Sequence, residues 1–408
     1  MQHTSPAFRL HKNLVDGVVQ VLEASFGQNI YADKALERLL KSNGKWGARD
    51  RAFVAENTYE IVRYWRKLWH IYNGEPSVKH NELYAIFGVH HVLQGGTLPE
   101  WPAFAKIRAV NWPERAAALP DDLAIQESYP DWLHHLAQAE LGKDWEHYAK
   151  ELNREAKLIL RCNTIKTNRE KLAQTFAESK ATPTLLADFP DAIALSNKIN
   201  TFRMDAFKQG WYEVQDAGSQ SIAPFTQAAA GMRVIDACAG AGGKSLHLAA
   251  LMKNQGQIVA MDVSENKLQE LKKRARRNGV STIETRVIHN TKVIKRLHES
   301  ADRVLLDVPC SGLGVLKRNP DAKWKLQPEH LDKLVKLQSD ILERYATMTK
   351  PGGKLVYATC SILRRENEAQ VEAFLQKHPH FSLEEEQRLE PTVFNDGFYM
   401  ARLRKGIR

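Results

Sequence analysis

Apolar positions in residues 1–150 recur three and four apart: Leu10, Leu14, Val18, Val21 and Leu22, then Ala35, Leu36, Leu39 and Leu40, then the run RAFVAENTYEIVRYWRKLWHIY. That is the period of one face of an α-helix. No alternating segment separates the stripes, so the pattern predicts a helical bundle over 1–150. The period changes after LGKDWEHYAKELNREAK. LILRCN, Leu158 to Asn163, is a strand candidate, TNRE from Thr167 to Glu170 has the capping-box form of a helix running through Ser179, and TPTLLAD and DAIALS are short strand candidates. A small α+β module is expected over 151–214.

From 215 to 408 apolar runs alternate with amphipathic ones. RVIDACAG precedes GKSLHLAALMK, GQIVAMDVS precedes ENKLQELKKRARRNG, DRVLLDVPC precedes PEHLDKLVKLQSDILERYATMTK, and GGKLVYATCS precedes ENEAQVEAFLQKH. Strand and helix in such alternation predict an α/β domain with a parallel sheet covered on both faces. Ligands of these sheets bind beyond the carboxyl ends of the strands. The chemistry-bearing residues of this chain fall at such ends.

Composition narrows the function. A chain of 408 residues is long for one domain, which agrees with the three regions. The formal net charge of +10 points to an acidic partner, with nucleic acid ahead of an anionic membrane surface. The four cysteines, Cys162, Cys238, Cys310 and Cys360, form no CxxC pair, so neither a disulfide framework nor a metal site is expected. MQHTSPAFRLHKN has no signal-like apolar stretch and no run of about 18 apolar residues follows. A soluble, cytoplasmic monomer is expected, without membrane association.

Asp236 to Ser245, DACAGAGGKS, runs from a strand through small residues into a helix. Cys238, Ala239, Gly240, Ala241, Gly242, Gly243 and Lys244 let a ligand approach the backbone and leave a helix N-terminus open to a negative group. The spacing is neither GxxxxGK[ST] nor GxGxxG, which disfavours ATP and NAD; a tight strand-to-helix turn explains it as well. Asp262 ends the next strand, where a carboxylate reaches ribose hydroxyls in nucleotide folds, or caps the helix that follows. Together the two features favour an adenosine-containing ligand. LLDVPCSGLG and VYATCSILRRENE then place Asp307, Cys310 and Cys360 at two further strand ends. A single cysteine there is usually a small buried residue. Two beside a carboxylate suit thiolate addition, which needs a lowered pKa supplied by Lys244 or a helix N-terminus.

DACAGAGGKS, AMDVS, LLDVPCSGLG, YATCSI, VQDAGSQ and DGFYMARL resemble, in order, the motifs of the Fmu/Sun (RsmB-like) RNA (cytosine-5)-methyltransferase family. RCNTIKT is similar to a further family segment, and ADKALERLLK with RDRAFVAENTYEIVR to a NusB-like, RNA-binding helical domain. The resemblance implies a Rossmann-like methyltransferase domain using S-adenosyl-L-methionine on RNA, ribosomal RNA in particular. It implies that Cys360 adds to C6 of a cytosine and that Cys310 helps remove the C5 proton. Asp307 would hydrogen-bond the base near the cofactor, the loop Cys238–Lys244 would cradle the methionine part, and Asp262 would hold the ribose. Two departures stand out: the family loop has a proline where Ala241 stands, and Asn290 takes the place of the usual adenine-binding Asp.

Basic segments remain. Lys272, Lys273, Arg274, Arg276 and Arg277 share a helix, read as a solvated face. LKRNPDAKWK follows the Pro-Cys motif, and Arg318 within it is the expected RNA contact. Arg63, Tyr64, Trp65, Arg66, Lys67 and Trp69 are able to grip RNA by phosphate contact and stacking, although their helical spacing favours a core role. The rival to an enzyme is a non-catalytic RNA-binding or ribosome-assembly factor of the same fold, which needs neither thiol.

Overall fold

The helical period of the N-terminal region becomes, in a computed structural model that describes residues 10–179, 181–196 and 199–407, helices at Lys12–Leu22, Ala32–Ser42, Ala48–Arg63, Trp65–Tyr72 and His80–Leu93, with further helices up to Leu152. The third stripe is two helices, because the backbone turns at Tyr64 (φ −105°, ψ 28°). The chain divides into two compact units. One comprises 1–153 with Leu316–Gln327, and the other 154–315 with 328–408.

In the first unit the aromatic run is core. Trp65 and Trp69 are buried, and Phe26 stacks on Trp65 with ring centroids 3.8 Å apart. Arg63 is buried as well and donates to Lys317 O at 3.2 Å. The stretch LKRNPDAKWK thus lies mostly within this unit. Ala32 N donates to Asp321 Oδ2 at 2.7 Å, Trp324 Nε1 to Val62 O at 2.7 Å and Lys325 Nζ to Ser25 O at 2.8 Å. Lys323 is fully buried. Its ammonium donates to Asn153 Oδ1 at 3.1 Å and sits 4.3 Å from the Tyr129 ring centre.

The second unit begins with a four-stranded antiparallel sheet. Its strands are β1 Leu158–Cys162, β2 Pro183–Leu185, β3 Ala192–Leu195 and β4 Tyr212–Val214, in the order β2-β3-β1-β4. The helix Arg169–Glu178 is capped by Asn168, whose Oδ1 accepts Lys171 N at 2.8 Å. Asn168, one residue beyond the expected Thr167, reaches the amide three positions on.

The larger sheet has β5 Arg233–Asp236, β6 Gln257–Asp262, β7 Ile283–Val287, β8 Ala301–Asp307, β9 Thr349–Thr359, β10 Phe381–Leu389 and β11 Phe398–Lys405. Its order is β10-β11-β9-β8-β5-β6-β7. Strands β5 to β9 pair in parallel, as the alternating pattern predicts. β11 is antiparallel to both β9 and β10, so the sheet is mixed at one edge. β11 is buried through most of its length while β10 is mostly exposed and carries Glu384, Glu385 and Glu386, charges that protect an edge strand from further pairing. β8 lies between β5 and β9, which brings the carboxyl ends holding Asp236, Asp307 and Thr359 together. Among the described residues no helix is long and apolar enough to cross a membrane.

Candidate active site

The turn after β5 depends on glycine. Gly240 and Gly242 have φ of 53° and 85°, the left-handed region that other residues rarely enter. A Cβ on Gly242 would also lie 2.0 Å from Leu271 Cδ1, whereas one on Gly240 or Gly243 would meet no atom within 4 Å. Space is therefore open above the loop and closed beneath it.

Several bonds fix the loop from below. Ala239 N donates to Met261 O at 2.9 Å, and Gly240 N to Asp262 Oδ2 at 2.9 Å. Arg274 Nη1 donates to Ala241 O at 2.7 Å, and Arg161 Nη1 to Gly243 O at 2.5 Å and Gln215 Oε1 at 2.5 Å. Arg161 comes from β1, and Arg274 is held by Glu213 of β4 at 3.0 Å. The small sheet thus grips two carbonyls of the loop. Burial brings the Arg161 guanidinium down to about 10, which leaves it charged at neutral pH. Glu213 also takes Arg277 at 2.5 Å. Arg274 and Arg277 are accordingly half-buried structural cations, while Lys272, Lys273 and Arg276 form the expected solvated face.

Asp262 accepts Gly240 N on one oxygen and Ser264 N, at 2.8 Å, on the other. Each carboxylate oxygen has a second lone pair for another donor, so ribose hydroxyls and the loop can share it. Asp262 does not cap the next helix, whose N-cap is Ser264. Beside it Val263 is 74% exposed, an uncovered apolar surface at a strand end. Asn290 caps the helix Thr291–Lys295 through Oδ1, 2.9 Å from Lys292 N, which leaves its NH2 group for a ligand edge.

The two sulfurs predicted to converge do so: Cys310 Sγ and Cys360 Sγ are 3.2 Å apart. Lys244 Nζ meets Asp307 Oδ2 at 2.5 Å. Burial disfavours the Lys244 ammonium, but Asp307 outweighs it, with smaller help from Cys360 and Asp236, and the proton is held more tightly than usual. Cys310 departs from the lowered pKa expected of a reactive thiol. Its hydrogen bond with Cys360, then burial, push it well up. Burial likewise raises Cys238, and lifts Cys162 to about 12, the inert thiol expected of a strand interior. Arg318 is half-buried in the segment belonging to the first unit.

Residues 226–404 match the 16S rRNA methyltransferase RsmB/F family, and residues 129–201 the RsmF/B-like ferredoxin-like domain. Over 303 residues the chain is 38% identical to the probable ribosomal RNA small subunit methyltransferase B of Synechocystis, covering 69% of this chain and 68% of that protein. The chain belongs to the RsmB/F methyltransferase family. RsmB/F proteins are S-adenosylmethionine-dependent, and the open space over Gly240 and Gly243 with Asp262 alongside fits that cofactor. The structure is similar to the crystal structure of PH0851, with a TM-score of 0.82 at 25% identity over 98% of this chain and all of that one. NSun6 from Pyrococcus horikoshii, solved with SFG, shares the fold at 22% identity, with a TM-score of 0.62 over 69% of this chain and 99% of its own.

The RsmB/F motifs point to the loop and the thiols but not to what holds them. Arg161, Glu213 and Arg274 are not expected from sequence at the glycine-rich loop after β5. The available signal was Arg161 itself, a charge inside the apolar run LILRCN, since a buried strand keeps a cation only where acceptors await it.

Proposed function

We propose that the protein methylates C5 of a cytosine in small-subunit ribosomal RNA, with Cys360 as nucleophile. The observation that carries this reading is the pair of sulfurs 3.2 Å apart at the ends of β8 and β9. C5 of cytosine is a poor nucleophile until a thiolate adds to C6. In this reading Cys360 forms the S–C6 bond and its electron pair is relayed to C5. S-adenosylmethionine, when bound, supplies an electrophilic methyl group. Cys310, deprotonated at that stage, takes the C5 proton; the C5–H pair restores the ring double bond and Cys360 leaves as thiolate. Burial, one of the causes that raise the Cys310 thiol, persists after Cys360 has bonded to C6 and favours uptake of that proton. Asp307, steadied by Lys244, accepts from the exocyclic amine of the base.

Cys238, Ala239, Gly240, Ala241, Gly242, Gly243 and Lys244 would hold the methionine part of the cofactor, Asp262 its ribose, and Val263 with Asn290 its adenine. The ribosomal substrate is supported by the names of the relatives. The base must leave any stack to reach Cys360, and Arg318 is proposed to contact the RNA.

The two thiols should fail differently. With transcribed small-subunit rRNA and S-adenosylmethionine, Cys310→Ala should give a slow-migrating, RNase-sensitive species on a denaturing gel, since addition and methyl transfer proceed but elimination stalls. Cys360→Ala and the double variant should give none and no methylation. The opposite pattern exchanges the two roles. Intact methylation in both variants with no adduct returns the cysteines to packing and removes the reading.

A further inference from the structure

Six residues beyond Cys360 stands a carboxylate with none of its surface exposed, Glu366. One oxygen, Oε1, accepts Ser311 N at 2.8 Å and Gln338 Nε2 at 2.9 Å. The other accepts Ser311 Oγ at 2.5 Å and the hydroxyl of Ser361. Ser311 directly follows Cys310 and Ser361 directly follows Cys360. Gln338 Nε2 is shared with Pro309 O at 2.9 Å, so the residues on both sides of Cys310 are tied to this centre. The neighbouring Asn367 secures the other thiol: Nδ2 donates to Ser361 O at 3.0 Å and Oδ1 accepts the Thr359 hydroxyl at 2.5 Å. Tyr357 OH, from β9 three residues before Cys360, donates to Glu366 O at 2.7 Å.

We propose that Glu366 is the positioning residue that sets the spacing of the two thiols. The choice of residue follows from donor counting. A carboxylate only accepts and offers about four lone-pair sites on two oxygens, which matches one backbone N–H, one amide N–H and two hydroxyls. Glutamine in its place offers a single acceptor oxygen, so its NH2 forces the Ser311 and Ser361 hydroxyls to turn from donors into acceptors while they already accept from Leu313 N at 3.4 Å and Leu363 N at 3.1 Å. Direct links also join the loops after β8 and β9, Ser311 Oγ to Ser361 Oγ at 3.2 Å and Gly314 N to Cys360 O at 2.9 Å, and the carboxylate is the buried acceptor that gathers both serines and Gln338 at one point. The catalytic consequence rests on the function proposed above; the geometric one does not.

The test uses the full chain and a readout that involves no RNA. Under diamide, Cys310 and Cys360 each lose a proton and an electron to form one disulfide, and diamide is reduced to the hydrazine by the two electrons and two protons. Disulfide geometry is strict, so Glu366→Gln should slow this cross-link about ten-fold or more, with Ser311→Ala and Ser361→Ala each slowing it less. In methylation assays Glu366→Gln should lower kcat about 100-fold, the effect of roughly 1 Å misplacement, with the KM for S-adenosylmethionine unchanged. Cross-linking at the wild-type rate in Glu366→Gln overturns the proposal. Should that variant not fold, the two serine variants decide, and wild-type rates in both overturn it equally. Slowed cross-linking in a protein whose wild type methylates no cytosine would leave the positioning role standing and remove the proposed reaction.

Discussion

Asp236 ends β5 with its carboxyl wholly buried and accepts Ser245 Oγ at 2.6 Å. Burial lifts it from an ordinary 3.8 to about 6, against the pull of Ser245. The folded protein therefore holds this proton more tightly than the unfolded chain. Between pH of about 4 and about 6 the native state binds the extra proton, so stability is fully present at the acid end of that window and falls as pH rises through it, by up to about 3 kcal/mol. Denaturant midpoints of the wild type and Asp236→Asn, followed from pH 4 to 7.5, should converge or separate across that window, and a constant difference would remove Asp236 as the cause. Such a residue is legible in sequence as part of DACAGAGGKS, yet its protonation is not, because that depends on which groups the fold withdraws from water. Cys310 teaches the same at the thiols. The motif placed it at a strand end beside Cys360, and the contact between the sulfurs, which raises its pKa, exists only once β8 and β9 are neighbours.

At the scale of elements, the alternating runs located β5, β6, β8 and β9 because parallel strands buried on both faces are written as short apolar stretches. The antiparallel β10 was less visible, since FSLEEEQRL shows one face to water through charged residues and lacks an apolar run. The break at Tyr64 was invisible because the apolar stripe continues across it. The glycine-rich loop after β5 shows how elements distant in sequence supply what its own residues lack. With Ala241 in place of a rigid proline, Arg274 and Arg161 hold the carbonyls on either side of Gly242. Arg274→Met should leave the small sheet in place, because Glu213 keeps Arg277 at 2.5 Å and Asn278 Nδ2 at 2.5 Å. The loop loses one hydrogen bond to a charged group, worth about 1.5–3 kcal/mol. The expected result is a KM for S-adenosylmethionine raised about ten-fold or more, with kcat at saturating cofactor near the wild-type value. A fall in kcat with KM unchanged would mean that the arginine acts elsewhere.

The whole molecule shows where chain order and domain order part. Sequence divides naturally near residue 150, and the basic aromatic run Arg63 to Trp69 with the NusB-like resemblance makes the N-terminal helices look like a detachable RNA-binding module. Yet the first unit also contains Leu316–Gln327, a stretch that sequence pattern assigns to the loop after the Pro-Cys motif. Nothing local reveals this, since Lys317, Arg318 and Lys323 read as a basic loop with Arg318 facing RNA. In the structure Leu316, Lys317, Asp321 and Lys323 are buried. Burial pushes the Lys323 ammonium well below its usual pKa, with Arg63 adding to the effect. A protein cut to 151–408 would keep this segment and lose its surroundings: Val62 O for the Trp324 indole, Ala32 N for Asp321 and Ser25 O for Lys325. Each abandoned buried partner costs about 1–3 kcal/mol, and an uncovered Leu316 and Trp324 favour association. The truncated protein should therefore aggregate or melt well below the full chain in a thermal scan, and should bind S-adenosylmethionine more weakly than the full chain at temperatures where both persist. Replacing Leu316–Gln327 in the same truncation by a short Gly/Ser linker should recover solubility without recovering RNA methylation. A soluble 151–408 fragment with the thermal stability of the full chain would show that the segment stands on its own, and the helical unit would then be the separable module its sequence suggests.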